Sequence, residues 1–313
     1  MQKGKWNVIV RTQGKELESE LKNAIYSVVA QTYENVSIIL IIHSDKEKTI
    51  KSTKEFLKHF EYLIEIKIVV ARKKQGVRAY PLNVALKYID GEYISFLDND
   101  DIYYPNMGSR LIKALEEGSH NFALGDSIET VQKEETDLTG NKYLYTESKK
   151  KRDHVEFNKL YLLLDNFIPF NTFIVKASLL EDTKFDERLE YLEDWDFLKK
   201  LILNEGFSVV QLEVPISEYR IRGDETDTYN KSTQKKWKRA RKITDNNIKN
   251  KSLKVETDEL IELRKIYIKK IREYKKALKV IQRNRGYRIW EGIKRNKLMS
   301  RTILRLVREA RHA

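Results

Sequence analysis

The chain contains no cysteine. Disulfides and thiolate metal sites are therefore excluded, and the composition suits a reducing compartment. Histidine is nearly as scarce. His43, His59, His120, His154 and His312 lie far apart, so no pair has the spacing of a histidine-based zinc site. No apolar run approaches the ~20 residues of a membrane-spanning helix, and residues 36–42 form one of the longest. The opening stretch, MQKGKWNVIV, lacks the apolar segment of a secretion signal. There is no internal repeat, and neither Gly14 nor Gly76 sits in a phosphate-cradling loop. These absences lead us to expect a soluble, cytoplasmic protein.

Charge is what the chain has in excess, and it is unevenly placed. Residues 231–313 carry 28 Lys and Arg against 8 Asp and Glu, whereas the remainder carries 32 against 39. A mildly acidic front thus precedes a strongly basic tail, the pattern of a globular module with a surface-seeking extension. The break falls near residues 224–231, where RGDETDTYNKS interrupts the pattern. The expected organisation is a catalytic domain over residues 1–228 and a basic helical extension over 229–313.

Within the front, short β-branched or apolar runs at 8–10, 36–42, 66–71 and 92–97 alternate with helical spacing at 16–31, 50–62 and 81–89. Such alternation predicts an α/β fold with a mostly parallel, Rossmann-type sheet flanked by helices. Further on, residues 106–117 and 194–204 read as helices. Residues 122–126, 173–175, 209–214 and 217–221 read as extended, and the polar stretch 129–153 as a loop or hairpin.

In parallel sheets of this kind, ligands bind beyond the carboxyl ends of the strands. The fourth strand ends in Asp98, Asp100 and Asp101. Crowded carboxylates repel and raise one another's pKa unless a cation sits among them, so the cluster asks for a partner. Asp98 and Asp100 suit a hard divalent cation, Mg²⁺ or Mn²⁺, shared with a substrate phosphate; a solvated Asp/Asn turn is the plainer alternative. Later, Glu193 and Asp194 precede an amphipathic helix. They either complement its N-terminus or supply a general base. Trp195 continues the apolar face of that helix and belongs to the core.

The residues around these acids resemble the family 2 glycosyltransferases of GT-A fold. GEYISFLDNDDIYYP is similar to the family's Asp-x-Asp signature. VIVRT with AIYSVVAQTYENVSIILII is similar to its opening strand, helix and second strand. GVRAYPLNVALKYIDGEY, FDERLEYLEDWDFLKKL and PISEYRIRGD follow in family order across residues 7–224. The resemblance implies an inverting, metal-dependent transferase that moves a sugar from a nucleotide-diphosphate donor to a hydroxyl of a glycan or glycoconjugate. It implies donor and metal contacts at Asp98, metal ligation at Asp100 and a general base at Asp194. It also implies donor contacts at Thr12, Arg78 and Asn83, a supporting role for Asp101 in the turn, and a sugar pocket near residues 169–172. The match departs from the family where Arg11-Thr12-Gln13-Gly14 replaces an aromatic-containing stretch and where His43-Ser44-Asp45 replaces an acidic pair. In it Arg222 stands where relatives place a histidine, either to meet the diphosphate or to be solvated.

In the tail, Leu260, Leu263, Tyr267, Ile271, Tyr274, Leu278 and Ile281 recur every 3.5 residues on average. This is one helical stripe, compatible with a coiled-coil seam and hence with self-association. A second basic segment carries Ile289, Trp290, Ile293, Leu298, Met299, Ile303, Leu304 and Val307. It suits peripheral contact with anionic lipid at the inner face of the cell membrane, with packing on the catalytic domain as the alternative. No nucleic-acid module accompanies the charge. The resemblance to family 2 glycosyltransferases implies a surface-polysaccharide transferase as the leading expectation. The other is a non-catalytic nucleotide-sugar-fold scaffold recruited to lipid or RNA by its tail.

Overall fold

A computed structural model of the protein describes residues 1–14, 18–72, 78–222 and 233–283. Four parallel strands open the chain: β1 (Gln2–Thr12), β2 (Val36–His43), β3 (Ile66–Ala71) and β4 (Gly91–Asp98). Between them run α1 (Glu18–Val29), α2 (Glu47–Leu57) and α3 (Ala79–Leu86). The alternation read from the sequence is thus the alternation found.

β5 (Ile102–Tyr103) and α4 (Met107–Glu117) follow. The polar stretch is a hairpin of β6 (Phe122–Thr136) and β7 (Lys142–Lys151), with β6 running ten residues past the predicted strand. α5 (Lys159–Leu164), β8 (Phe173–Lys176), α6 (Glu193–Leu201) and β9 (Val209–Arg222) complete the sheet region. The strands are ordered β3-β2-β1-β4-β8-β6-β9-β5, with β7 on the free side of the hairpin.

β2 shows why the sheet lies inside. A strand's neighbouring side chains point to opposite faces. Ile38, Leu40 and Ile42 join Val8, Val10 and residues of α1, α2 and α4 in one core cluster. Ile39 and Ile41 join Ile9, Ile94 and Phe96 in a second, beneath α3, α5 and α6. An uninterrupted apolar run is what a strand covered on both faces requires. Trp195 lies in this second cluster and donates its indole N–H to the Leu162 carbonyl at 2.6 Å.

The expected domain break near 228 lies among residues that are not described, and the compact unit continues past it to Lys254. The reason is α7 (Gln234–Ile248), counted with the basic tail in the sequence but docked on α6. Lys199 of α6 is fully buried and donates to Thr244 and Asp245 at 3.2 and 2.8 Å. Asn247 donates to Asp186 and Asp196 at 2.8 and 2.7 Å. Ala240 closes the core beneath.

The second unit begins at Val255 and contains α8 (Thr257–Arg283). Along its predicted stripe Leu260, Tyr267, Ile271, Tyr274 and Leu278 are exposed. The second basic segment, from Ile289 to Val307, lies outside the described residues, as does Gly76. No helix among the described residues is long and apolar enough to cross a membrane.

Candidate active site

The parallel register sets Arg11, near the end of β1, directly beside Asp98, the last residue of β4. The guanidinium grips Asp98 Oδ1 with Nε at 3.0 Å and Nη2 at 2.7 Å. Its Nη1 reaches Glu193 Oε1 at 3.1 Å and the Arg78 carbonyl at 3.0 Å. Arg11 thus ties the acid-bearing strand to the first turn of α6 and the start of α3. Burial alone would weaken its positive charge, but Asp98 and then Glu193 outweigh that and raise its pKa. Part of the counter-charge sought by the acid cluster is therefore supplied by the chain itself.

Asp101 is buried and accepts the Arg220 backbone N–H at 2.8 Å, fixing β9 against the acidic turn. Burial and then Asp100 raise its pKa well above the carboxylate range. Its side chain thus joins the acidic turn to β9. Asp100 itself is exposed at the turn. Surrounding protein still displaces enough bulk water, with Asp98 adding repulsion, to push its carboxyl up to about 6.

Asp194 opens α6 across a cleft with about 170 Å³ of free space, and Asp98, Asp101, Arg78 and Tyr219 border the same cleft. Burial first, then the adjacent Glu193, push Asp194 up to about 6. The Trp195 N–H, the Asn166 amide at 3.2 Å and the charge of Arg78 partly offset this. A carboxyl poised there is half-charged at about pH 6, is mostly ionised at neutral pH and is suited to taking a proton. The residue before this pair, Leu192, adopts φ 64°, the one positive φ outside glycine among the described residues. A left-handed leucine stores backbone strain, here at the point where the chain turns to aim Glu193 at Arg11 and Asp194 at the cleft.

The expected donor residues separate. Arg78 borders the cleft, 6.0 Å from the Tyr191 ring centroid. Thr12 is buried at the end of β1, where its hydroxyl accepts the Gly14 N–H at 3.0 Å. Asn83 spends its amide on the Phe185 backbone and Glu187. Neither Thr12 nor Asn83 borders the cleft. In the 169–172 segment, Pro169 and Phe170 border the cleft while Asn171 donates to the Glu218 carbonyl. Arg222 is not simply solvated: it pairs with the buried Glu20 of α1 at 2.6 Å. His43 is buried, its ring 6.2 Å from that of Tyr80.

Among the cleft residues that sequence reasoning missed are Arg11 and Tyr219. Arg11 was visible only as a departure from a family pattern. Tyr219 stands close enough to Asp101, Asp194 and Asp100 that, after burial, their charges push its phenol up to about 12. The alternation of residues 217–221 marks Tyr219 as a strand residue and nothing more.

Among the described residues, no three acids or histidines gather as a ready-made metal cage. The donor set still suits a divalent cation that keeps part of its shell from elsewhere. Asp100 is exposed and short of positive charge. Mg²⁺-type sites commonly use one or two carboxylates plus substrate phosphate and water.

Sheet order and cleft position define a GT-A-type α/β protein. A family model described as "Glycosyl transferase family 2" matches residues 8–179. An uncharacterized glycosyltransferase of Haemophilus influenzae is 27% identical over 235 residues, covering 71% of this chain and 69% of that protein. One from Methanocaldococcus jannaschii is 25% identical over 214 residues, covering 68% and 70%. Among solved structures, Staphylococcus aureus TarS residues 1–349 with UDP-GlcNAc aligns at TM-score 0.60 and 18% identity, covering 82% of this chain and 69% of that one. The Pyrobaculum calidifontis mannosyltransferase PcManGT with GDP-Man and Mn²⁺ aligns at 0.54 and 12%, covering 95% and 86%. The chain belongs to glycosyltransferase family 2.

Proposed function

We propose that the protein transfers a sugar, with inversion, from a nucleotide-diphosphate donor to a hydroxyl of a glycan or glycoconjugate in surface-polysaccharide synthesis. The observation that carries this reading is one cleft bordered by both Asp98 and Asp194, the latter a carboxyl set to accept a proton near neutral pH. In the proposed reaction Asp194 takes the proton of the acceptor hydroxyl as its oxygen bonds to the anomeric carbon. The bond from that carbon to the diphosphate oxygen breaks on the opposite face, and the nucleotide leaves with the electron pair. Arg78 faces the cleft where a guanidinium suits phosphate oxygens. A divalent cation, held by Asp100 and Asp98, would neutralise charge on the departing diphosphate. Asp98 is shared with Arg11, so Asp100 carries the larger part of that grip.

Calorimetry with a panel of nucleoside diphosphates, with and without Mn²⁺, tests the donor side. One nucleotide is expected to bind in a metal-coupled manner, and Asp100→Asn to weaken that coupling by about tenfold or more. Nucleotide binding indifferent to Mn²⁺ would remove the cation from the account. Binding by no nucleotide would favour the scaffold reading.

The protein is further proposed to work as a peripheral protein at the cytoplasmic face of a membrane. Support comes from α8, whose exposed Leu260, Ile271, Tyr274 and Leu278 share the helix with Lys269, Lys270, Arg272, Lys275 and Lys276. Flotation on anionic vesicles is expected for the full chain and lost in a chain ending at Lys254. Equal flotation of both would end the membrane proposal.

A further inference from the structure

The cleft also carries an aromatic pair, one ring of which lies against Arg78. Trp237 of α7 stacks on Tyr191, with centroids 5.3 Å apart and planes 26° apart, and both rings border the cleft beside Asp194. Trp237 lies well past residue 179, where the family match ends. It is present because α7 docks on α6 through Lys199 and Asn247. Next to Asp194 stands Asn166, which spends its Nδ2 on Asp194 Oδ2 at 3.2 Å. Its Oδ1 is shut away from solvent and has no hydrogen-bond partner among the described residues. A buried amide oxygen left without a donor is costly, and at a cleft wall it points to a group that arrives with the ligand.

Resting on the transferase reading, we infer that Tyr191, Trp237 and Asn166 form the acceptor subsite, and that the acceptor is a sugar ring bearing two adjacent hydroxyls. The aromatic pair offers an apolar wall for the ring's C–H face. Asp194 and Asn166 are joined by their own hydrogen bond, and a turn of the Asn166 side chain as the ligand enters sets its Oδ1 beside the carboxylate. One hydroxyl donates to Asn166 Oδ1, which orients the ring. Its neighbour donates to Asp194 and is the oxygen that reacts. A carboxylate alone would accept any hydroxyl. The carboxylate–carboxamide pair selects a vicinal diol and leaves a singly hydroxylated acceptor with the Asn166 oxygen unmet. Discrimination that rests on an unpaired buried polar group is steep.

The full chain labelled with 5-fluorotryptophan provides the test. Its four tryptophans are Trp6, Trp195, Trp237 and Trp290, and Trp237→Phe assigns the signal that matters. The probes are methyl hexopyranosides and their monodeoxy analogues, added with a nucleoside diphosphate and Mn²⁺. At least one glycoside is expected to shift the Trp237 resonance while leaving those of the buried Trp6 and Trp195 in place. Tyr191→Ala and Asn166→Leu should each weaken that response by about tenfold, and the analogue lacking one hydroxyl of the pair should lose it to a similar degree. No response at Trp237 with any glycoside, or a response indifferent to both substitutions, overturns the inference. Nucleotide binding followed calorimetrically in the same samples separates the two failures. Nucleotide bound without a sugar response ends the acceptor assignment alone. Absence of nucleotide binding ends the transferase reading on which it rests.

Discussion

Asp194→Asn is expected to lower sugar transfer by about 10²–10⁴-fold, the usual worth of a positioned general base, while the protein melts no earlier than wild type. Both halves follow from the environment of one carboxyl. Burial and Glu193 raise its pKa to about 6, so the folded state holds a proton there more tightly than the unfolded chain does. Between the ordinary carboxylate pKa and about 6, stability therefore falls as pH rises. At neutral pH the charged form is a burden on the fold, and a neutral amide of the same shape removes it. Turnover has the opposite dependence. The base must be ionised, so kcat/KM of the wild type should climb with pH through about 6 and then level. Initial rates across pH, measured beside thermal melts, check both. Turnover like wild type in Asp194→Asn would take the residue out of the role of base, and a large drop in melting temperature would mean its carboxylate is structural.

The strands and helices that place this carboxyl were legible because they rest on periodicity. The uninterrupted run of β2 announced a strand covered on both faces. The 3–4 spacing of Trp195, Phe197, Leu198 and Leu201 announced α6. The acids at the end of β4 announced a cleft, since sheet topology puts ligands there. What stayed hidden depends on pairs distant in sequence. Arg222 meets Glu20 across 202 positions, and Asn83 meets Phe185 across 102. No local pattern reports either contact. α7 hid for another reason. Its buried face is little more than Ala240 and Thr244, too thin an apolar stripe to stand out against seven Lys and Arg within residues 235–249. The charge count assigned to a surface-seeking basic extension a helix that in fact brings Trp237 to the cleft.

Arg11 carries the second large expectation. It is 12% exposed at the side chain and stands between Asp98 and a Glu193 side chain that is 5% exposed. Arg11→Met would leave the Glu193 carboxylate buried without its cation, and breaking such a pair costs about 3–5 kcal/mol. Urea unfolding should show that loss. It should also show part of it returned in Arg11→Met/Glu193→Gln, because the second change removes the stranded charge; a coupling of about 1–3 kcal/mol is expected for partners in direct contact. Arg11→Lys separates position from charge. A lysine keeps the cation, but its single ammonium cannot span Asp98, Glu193 and the Arg78 carbonyl, which the planar fork meets together. That variant should fold, yet let the acidic turn of β4 and the start of α6 drift apart, lowering transfer by roughly 10²-fold, as small misplacements of reacting groups do. If Arg11→Lys instead transferred sugar at the wild-type rate, charge alone would suffice and the bridge would be only a brace for the fold. If Arg11→Met matched wild type in both stability and turnover, the two walls of the cleft would be held in register by something other than this guanidinium.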